Sequence, residues 1–444
     1  MSSTSVRQAS GLPLGLAPLQ FLLYGYFAVL LVGFALLCLP FAERTDVAVL
    51  DHLFVATSAL STTGLSTIGV GQDYTVFGQV VVLLLIQVGG LGYMSLGSFV
   101  VLMRKRHLHN TQAEVLAVDF SLPEGFQLAR FIRRIVLFTV GAEVVGALLL
   151  TWAFAAQGVE GYVWQGVFHA ISAFCTAGFS LFADGLEGFR DSVAVNLIVS
   201  ALALLGALGF IVAADFFTRL SPKRTPLTFT SRIILRFTAA GIVLGTVTLF
   251  LADPAIGALR TDQAWLAAFF QAMTAFTTVG FNTVPIASIA TAPLFVIILL
   301  MVVGASPSGT GGGMKSTTFT ALWAQLTSTF RGLAHVQYRG RIVPEHRVRT
   351  AVSNFFFYVL VLCGGIFALL LVQDQDPYVV IFEGISALGT VGLSLGLTGE
   401  LTVMGKLITC VLMFLGRVGP LSAGLALFGG EEPAAVPVEE DLAI

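Results

Sequence analysis

Apolar and polar positions along this chain alternate on two length scales. Eight apolar stretches, near 18–41, 75–103, 131–156, 193–217, 232–252, 291–328, 350–372 and 401–428, reach the length needed to cross a hydrocarbon core, about 20 residues. Between the members of each pair lies a shorter apolar segment of about a dozen residues, too short to span and suited to a re-entrant helix. Each short segment ends in one pattern: Phe54-x-x-x-Ser58-Ala59-x-x-Thr62-x-Gly64, Phe168-x-x-x-Ser172-Ala173-x-x-Thr176-x-Gly178, Phe270-x-x-x-Thr274-Ala275-x-x-Thr278-x-Gly280 and Phe382-x-x-x-Ser386-Ala387-x-x-Thr390-x-Gly392. The predicted unit is helix, short helix, glycine loop, helix. It occurs four times, with Gly64, Gly178, Gly280 and Gly392 separated by 114, 102 and 112 residues. Repetition this regular is architecture.

The expected fold is therefore an all-α polytopic membrane protein, with four helix–pore-helix–helix repeats arranged pseudo-fourfold around a single central pore. The repeats are expected at 18–103, 131–217, 232–328 and 350–428. They are joined by loops at 104–130, 218–231 and 329–349 and flanked by an N-terminal segment 1–17 and a C-terminal tail 429–444. Composition agrees: of 444 residues, 56% are hydrophobic and 11% charged, where a soluble domain carries about a quarter charged. The chain belongs in a lipid bilayer. Lys and Arg gather in the three connecting loops, from Arg104 to Arg134, Arg219 to Arg236 and Arg331 to Arg349. Because positive residues in short loops stay cytoplasmic, both termini are expected in the cytoplasm of a plasma (inner) membrane protein, with the glycine loops opening outside. The first apolar stretch is of span length, which fits an anchored helix rather than a cleavable signal.

Charge and cysteine usage exclude other classes. A net charge of -2 makes no case for nucleic acid. Cys38, Cys175, Cys363 and Cys410 lack metal-ligand spacing, and neither paired carboxylates nor His and Cys clusters at helical spacing point to an enzyme.

The glycine loops carry the candidate chemistry. A dehydrated monovalent cation needs oxygen atoms from several directions, and rings of main-chain carbonyls replace its hydration shell. Glycine, lacking a β-carbon, lets the chain turn those carbonyls inward. The expected filter comprises Thr62, Thr63 and Gly64; Thr176, Ala177 and Gly178; Thr278, Val279 and Gly280; and Thr390, Val391 and Gly392. The Thr hydroxyls add ligands, and each pore helix aims its negative C-terminal end at the ion. Small residues in membrane helices also allow close packing, but four copies in matching context favour the pore.

A second glycine-rich patch follows each loop glycine by about 24 to 28 residues, reading QVGGLGYM from Gln87, LLGALGF from Leu204, VGASPSGTGGGMKS from Val303 and LGRVGPLS from Leu415. In the third unit, residues 304–313 hold a proline and five glycines, which should break the span into half-helices joined by a loop at mid-membrane depth. The run from Gly309 to Lys315 and Ser316 has the outline of a phosphate-binding loop. Met314, however, stands where its second glycine is required and the flanks are spans, so nucleotide is expected on a partner only. Arg417 lies within an apolar span, at a cost of about 2.5 to 3.5 kcal/mol on insertion scales, so it should face an aqueous cavity or pair with carbonyls.

Taken together, SALSTTGLS, SAFCTAGFS, TAFTTVGFN and SALGTVGLS, with SPSGTGGGMKSTT and FLGRVGPLS, resemble the membrane subunits of the Trk/Ktr/HKT superfamily of potassium transporters from about Pro18 to Phe428. With no extra helix pair before the first unit, the chain is more similar to the Ktr subunits than to the longer Trk ones. The resemblance implies potassium uptake, with K+ held at the filter only. In that family glycine at all four filter positions accompanies potassium selectivity, whereas plant members with serine in the first tend to carry sodium. Leu65 and Leu393 replace a usual phenylalanine and Asn282 a common serine, departures that bear on fine selectivity. The resemblance further implies that Gly304, Ser306, Pro307, Ser308, Gly309, Thr310, Gly311, Gly312 and Gly313 form an intramembrane gate. Arg417 would serve beside it as an electrostatic barrier and an anchor for the loop's carbonyls. Lys315 either joins the gate or snorkels to the cytoplasmic interface. A homodimer, a cytoplasmic ring of nucleotide-binding regulatory subunits (KtrA-like) and Na+ as an activating ion are also implied.

Glu143, Glu383, Asp215 and His169 are the remaining embedded polar groups. Glu383 either raises cation concentration near the filter or holds a hydrogen-bonded structural place, and His169 is expected as a packed or interfacial group. The expected function is uptake down the membrane potential, worth about 2.3 kcal/mol per charge per 100 mV. The alternative is a sodium-coupled cation symporter with alternating access, which interrupted spans also mark. Symporters commonly show inverted halves, whereas these four units all read in the same order.

Overall fold

The computed structural model describes residues 18–92, 128–220, 226–307, 309–419 and 424. The expected N-terminal segment 1–17, the span end and basic loop over 93–127, residues 221–225, the gate residue Ser308 and the C-terminal stretch after 419, Gly424 apart, lie outside the described residues.

The described chain is mostly helical. The longer helices are α1 (Pro18–Leu37), α2 (Val49–Leu60), α3 (Val76–Leu91), α4 (Leu128–Ala156), α5 (Tyr162–Phe174), α6 (Val193–Leu220) and α7 (Phe229–Ala252). They continue with α8 (Thr261–Thr277), α9 (Thr291–Val302), α10 (Ser316–Phe330), α11 (Glu345–Leu370), α12 (Pro377–Gly389) and α13 (Val403–Val418). A small antiparallel hairpin of β1 (Gln337–Tyr338) and β2 (Arg341–Ile342) joins α10 to α11. Local sequence explains several helix starts: Thr75, Thr228 and Thr402 cap α3, α7 and α13 by accepting a backbone N–H three residues on, and Asp376 caps α12 ahead of Pro377.

Within α4, α6, α7 and α11 lie segments of 24 to 27 residues with mean hydropathy 2.0 to 2.6, long and apolar enough to cross a membrane. Their outward faces show Leu148, Trp152, Leu251, Phe356 and Phe367. The centre holds the motif phenylalanines Phe54, Phe168, Phe270 and Phe382, all fully buried. Apolar side chains outside as well as inside suit lipid as the surrounding solvent, and the protein is a multi-pass membrane protein.

Contacts between the units run in sequence and then return. The second long helix of each unit packs on the short helix of the next: α3 on α5, α6 on α8, α9 on α12, and α13 back on α2.

Three spans expected to be continuous are not. Helix α3 stops at Leu91 before Gly92 (φ 78°), α6 is broken at Gly209 (φ 83°, ψ 161°), and α13 stops at Val418 before Gly419 (φ 88°). With the interruption between α9 and α10, which was expected, all four units lose helix at the corresponding level. The cause is a residue type that adopts positive φ without steric cost. Close approach requires glycine too: Gly89, Gly206 and Gly416 lie against the carbonyl oxygens of Leu60, Phe174 and Leu388 in the last turns of α2, α5 and α12, leaving no room for a β-carbon.

Gly206→Val should therefore destabilise the detergent-solubilised protein by about 1–3 kcal/mol through overpacking. Gly141→Ala, in α4 where a β-carbon meets nothing within 4 Å, should raise stability by up to about 1 kcal/mol. Thermal unfolding of both variants checks the pair; equal melting temperatures would contradict it.

Candidate functional site

Each short helix delivers its chain into a loop with the same backbone signature. Thr62, Thr176, Thr278 and Thr390 take positive φ, at 52°, 51°, 58° and 47°, and the glycines two residues on do so at 97°, 66°, 81° and 88°. Positive φ is rare for a β-branched residue, and backbone strain of this kind collects at functional sites.

Six donors of these loops turn back onto the preceding helix. The N–H groups of Thr63, Ala177, Val279 and Val391 donate to the carbonyls of Ser58, Ser172, Thr274 and Ser386 at 2.9, 2.8, 3.1 and 2.9 Å. Those of Gly64 and Gly392 donate to the hydroxyls of Ser58 and Ser386, each at 3.1 Å. The residue four before each threonine is thus the peg for its loop through its carbonyl, and at Ser58 and Ser386 through its hydroxyl as well, a role not assigned from sequence although its fixed spacing was visible there.

With donors held behind, carbonyl oxygens face the neighbouring loops. A β-carbon on Gly64 would lie 2.5 Å from the carbonyl oxygen of Ala177. Gly178 meets that of Val279 in the same way, Gly280 that of Val391, and Gly392 that of Thr63. All four glycines line one cavity of about 350 Å³, with Ser66, Gln72, Ser180, Asn282, Ser394 and Thr398 among its walls. The hydroxyls of Thr62 and Thr390 are buried and have no hydrogen-bond partner among the described residues. The other two engage the segment between α9 and α10. Thr176 Oγ1 bonds Cys175 O at 2.7 Å and Thr310 Oγ1 at 3.2 Å, and Thr278 Oγ1 accepts the N–H of Gly312 at 2.7 Å.

That segment is held by carbonyls which the helix breaks set free. Ser306 donates through N and Oγ to Ala207 O at 3.2 and 2.8 Å, and Thr310 N donates to Gly206 O at 3.1 Å, just before the break at Gly209. Thr310 Oγ1 also reaches Phe174 O at 3.0 Å. Gly304 packs on Gly312 and Gly313, Gly309 on Ala207, Gly311 on Ala305 and Thr277, and Gly312 on Gly389, each too closely for a side chain, while the Pro307 carbonyl lies beside Gly209.

Arg417 joins three units. Its Nε donates to Gly89 O at 3.0 Å and its Nη2 to Gly90 O at 3.1 Å and to Gly89 O, while Nη1 donates to Thr310 O. The acceptors on α3 are carbonyls at a helix C-terminus, where the macrodipole favours a cation. Lys315 Nζ donates to Gly311 O at 2.7 Å.

The other embedded polar groups are in hydrogen-bond networks. Glu143 accepts from Gln87 at 2.9 and 3.2 Å, Glu383 accepts from Ser394 at 2.8 Å and from Thr398, and His169 pairs with Gln165 O at 2.8 Å and Ser180 Oγ at 2.9 Å. Asp215 receives Thr228 N at 3.0 Å and Ser231 Oγ at 2.6 Å. Asn282 reaches out of its own unit, donating to Glu187 at 2.6 Å while its carbonyl accepts from Leu186 N at 3.2 Å. Partial burial raises the Glu187 pKa, which the Asn282 bond opposes. An ion pair between Asp51 and Lys406 at 2.5 Å ties the first unit to the fourth.

Ser58→Ala and Ser386→Ala each strand a glycine N–H inside the protein and should cost about 1–3 kcal/mol. Ser200→Ala removes a buried hydroxyl that has no partner among the described residues and should change stability by less than about 0.5 kcal/mol. Melting curves for the three variants test the peg role, and a Ser200 variant as damaging as the others would refute it.

Comparison with known proteins gives a consistent picture. The family model described as TrkH, cation transport protein, matches residues 28–428. The chain is 33% identical over 427 residues to the Ktr system potassium uptake protein B of Vibrio alginolyticus, covering 95% of this chain and 93% of that one. It is also 33% identical over 424 residues to the potassium/sodium uptake protein NtpJ of Enterococcus hirae, covering 93% of each. Among solved structures, the potassium transporter TrkH from Vibrio parahaemolyticus superposes with a TM-score of 0.73 over 92% of this chain and 85% of that one, at 20% identity.

Proposed function

Because the chain belongs to the TrkH family of cation transport proteins, we propose that it is the ion-translocating subunit of a potassium uptake system. In this reading, four repeats close pseudo-fourfold around one pore. K+ enters the cavity, exchanges its water for the carbonyl oxygens of the Thr-x-Gly loops, and passes the 304–313 segment as a gate into the cytoplasm. The observation that carries the reading is that all four loop glycines line a single cavity while each crowds a carbonyl of the next loop. The names of the relatives support potassium as the ion, and that of NtpJ supports sodium as an activating or co-transported one.

The remaining parts follow from the same reading. Arg417 acts as an electrostatic barrier beneath the filter and as the pin that keeps the gate segment across the path, with Lys315 as its second tether. The repeat boundaries are those read from sequence, in a plasma (inner) membrane with cytoplasmic termini. The chain works as a homodimer on a nucleotide-binding cytoplasmic ring. Catalysis has no part in this function, since the gradient and the membrane potential drive the ion.

Uptake of rubidium into liposomes holding the pure chain, with sodium varied, tests the proposal. Saturable flux blocked by potassium is expected. Absence of flux in correctly folded protein would overturn the reading, and a fixed sodium stoichiometry would replace the channel by the coupled symporter. Gly64→Ser should reduce discrimination of potassium from sodium about tenfold, equivalent to ~1.4 kcal/mol, as read by competition between the two ions. Deleting 305–312 should raise basal flux; lower or unchanged flux would refute the gate assignment.

A further inference from the structure

Five non-glycine residues among those described adopt positive φ. Four are the loop threonines, and the fifth is Arg339 (φ 50°), followed by Gly340 (φ 74°) at the tip of the hairpin between α10 and α11. A two-residue turn with both φ positive prefers Asn, Asp or Gly. An arginine in that place carries a backbone cost, and its exposed side chain lies with the guanidinium 6.0 Å from the Tyr338 ring.

The hairpin is a fixed platform. Val343 N bonds Val336 O at 2.8 Å across its base, Gln337 N bonds Ser328 Oγ at 2.9 Å, and Leu333 N bonds Ser328 O at 3.0 Å. Its charge is one-sided. From 331 to 349 stand Arg331, Arg339, Arg341, Arg347 and Arg349 against one carboxylate, Glu345, which pairs with Arg349 at 2.7 Å. Arg341 lies over the Phe229 ring at 5.0 Å. Interleaved with these cations are exposed apolar groups, Phe330 at 80% and Ile342 at 63% exposure, with Leu333 and Trp323 nearby in the chain.

We propose that this hairpin is a binding surface for anionic phospholipid headgroups, with Arg339 at its tip as the principal contact. Helix α11, which follows the hairpin, is long and apolar enough to cross a membrane, and Gly340 is five residues from its start at Glu345, so the tip stands no more than roughly 17 Å from that helix end. At that height the surface potential of an anionic leaflet, screened over about 8 Å at physiological salt, still acts on a side chain that can reach back. A solvated charge run would not need Phe330 and Ile342 exposed beside it, whereas a surface resting on headgroups places arginines on phosphate and apolar groups in the acyl boundary. An acidic protein partner would be served by the charges alone.

Native mass spectrometry of the delipidated full chain, titrated with phosphatidylglycerol or phosphatidylcholine, provides the test. The parent should retain phosphatidylglycerol at least about tenfold better than phosphatidylcholine. The double variant Arg339→Asn, Arg341→Gln should lose phosphatidylglycerol affinity about fivefold per arginine, with phosphatidylcholine unchanged. Asn suits the left-handed backbone, so this substitution removes the charge without straining the turn. Arg190→Gln with Arg260→Gln, on other loops, should bind as the parent does. Equal phosphatidylglycerol retention in parent and double variant, equal loss of both lipids, or an equal loss in the control would overturn the proposal. So would a double variant that keeps its lipid but no longer captures a cytoplasmic partner subunit. The readout is bound lipid rather than ion flux, so its failure is separate from failure of the transport reading.

Discussion

Hydrogen bonding of buried backbone is the constraint on which this structure depends. Irregular chain at membrane depth must satisfy its donors within the protein or along a water-filled path. In each of the four loops the amides turn outward onto a serine or threonine of the preceding helix, and the carbonyls crowd against the next loop. The left-handed threonines are what this division of donors from acceptors requires, since positive φ at Thr62 and its three equivalents reverses the chain straight after the helix. Four strained residues are tolerable because the surrounding helices over-determine them.

The same constraint explains the breaks in the second helices. Ending α3 at Leu91 and interrupting α6 at Gly209 leaves carbonyls without intrahelical partners. These are the acceptors taken by Arg417, Ser306 and Thr310. An arginine in an apolar helix, costly alone, is accommodated at a helix C-terminus by several charge-assisted bonds. Broken helix and half-buried charge are thus two halves of one arrangement, linking the first, third and fourth units.

Much of this was legible in the chain. The repeated motif, the interruption at 304–313 and the place of Arg417 in an apolar run follow from hydropathy and residue type. The breaks at Gly92, Gly209 and Gly419 did not, because an apolar run reports the length of a span and not its continuity. Glycine within a helix costs only about 1 kcal/mol, so only a neighbour's demand decides which one turns to positive φ. The pegs Ser58, Ser172, Thr274 and Ser386 were visible as spacing yet mute as to role, since a serine in an apolar helix bonds its own backbone as readily as a loop. Asn282, seen from sequence only as a departure from a pattern, proved to brace its loop against Glu187 of the neighbouring unit.

By itself the sequence determined residence in a bilayer, the fourfold recurrence of one unit, and the residue types at each loop, because hydrophobicity and glycine's freedom are local properties. Tertiary structure decided which unit meets which, where Arg417 and Lys315 place their charges, and which helices stay whole. Those outcomes rest on contacts between residues as far apart as Gly89 and Arg417, and such contacts exist only after separate helices have packed.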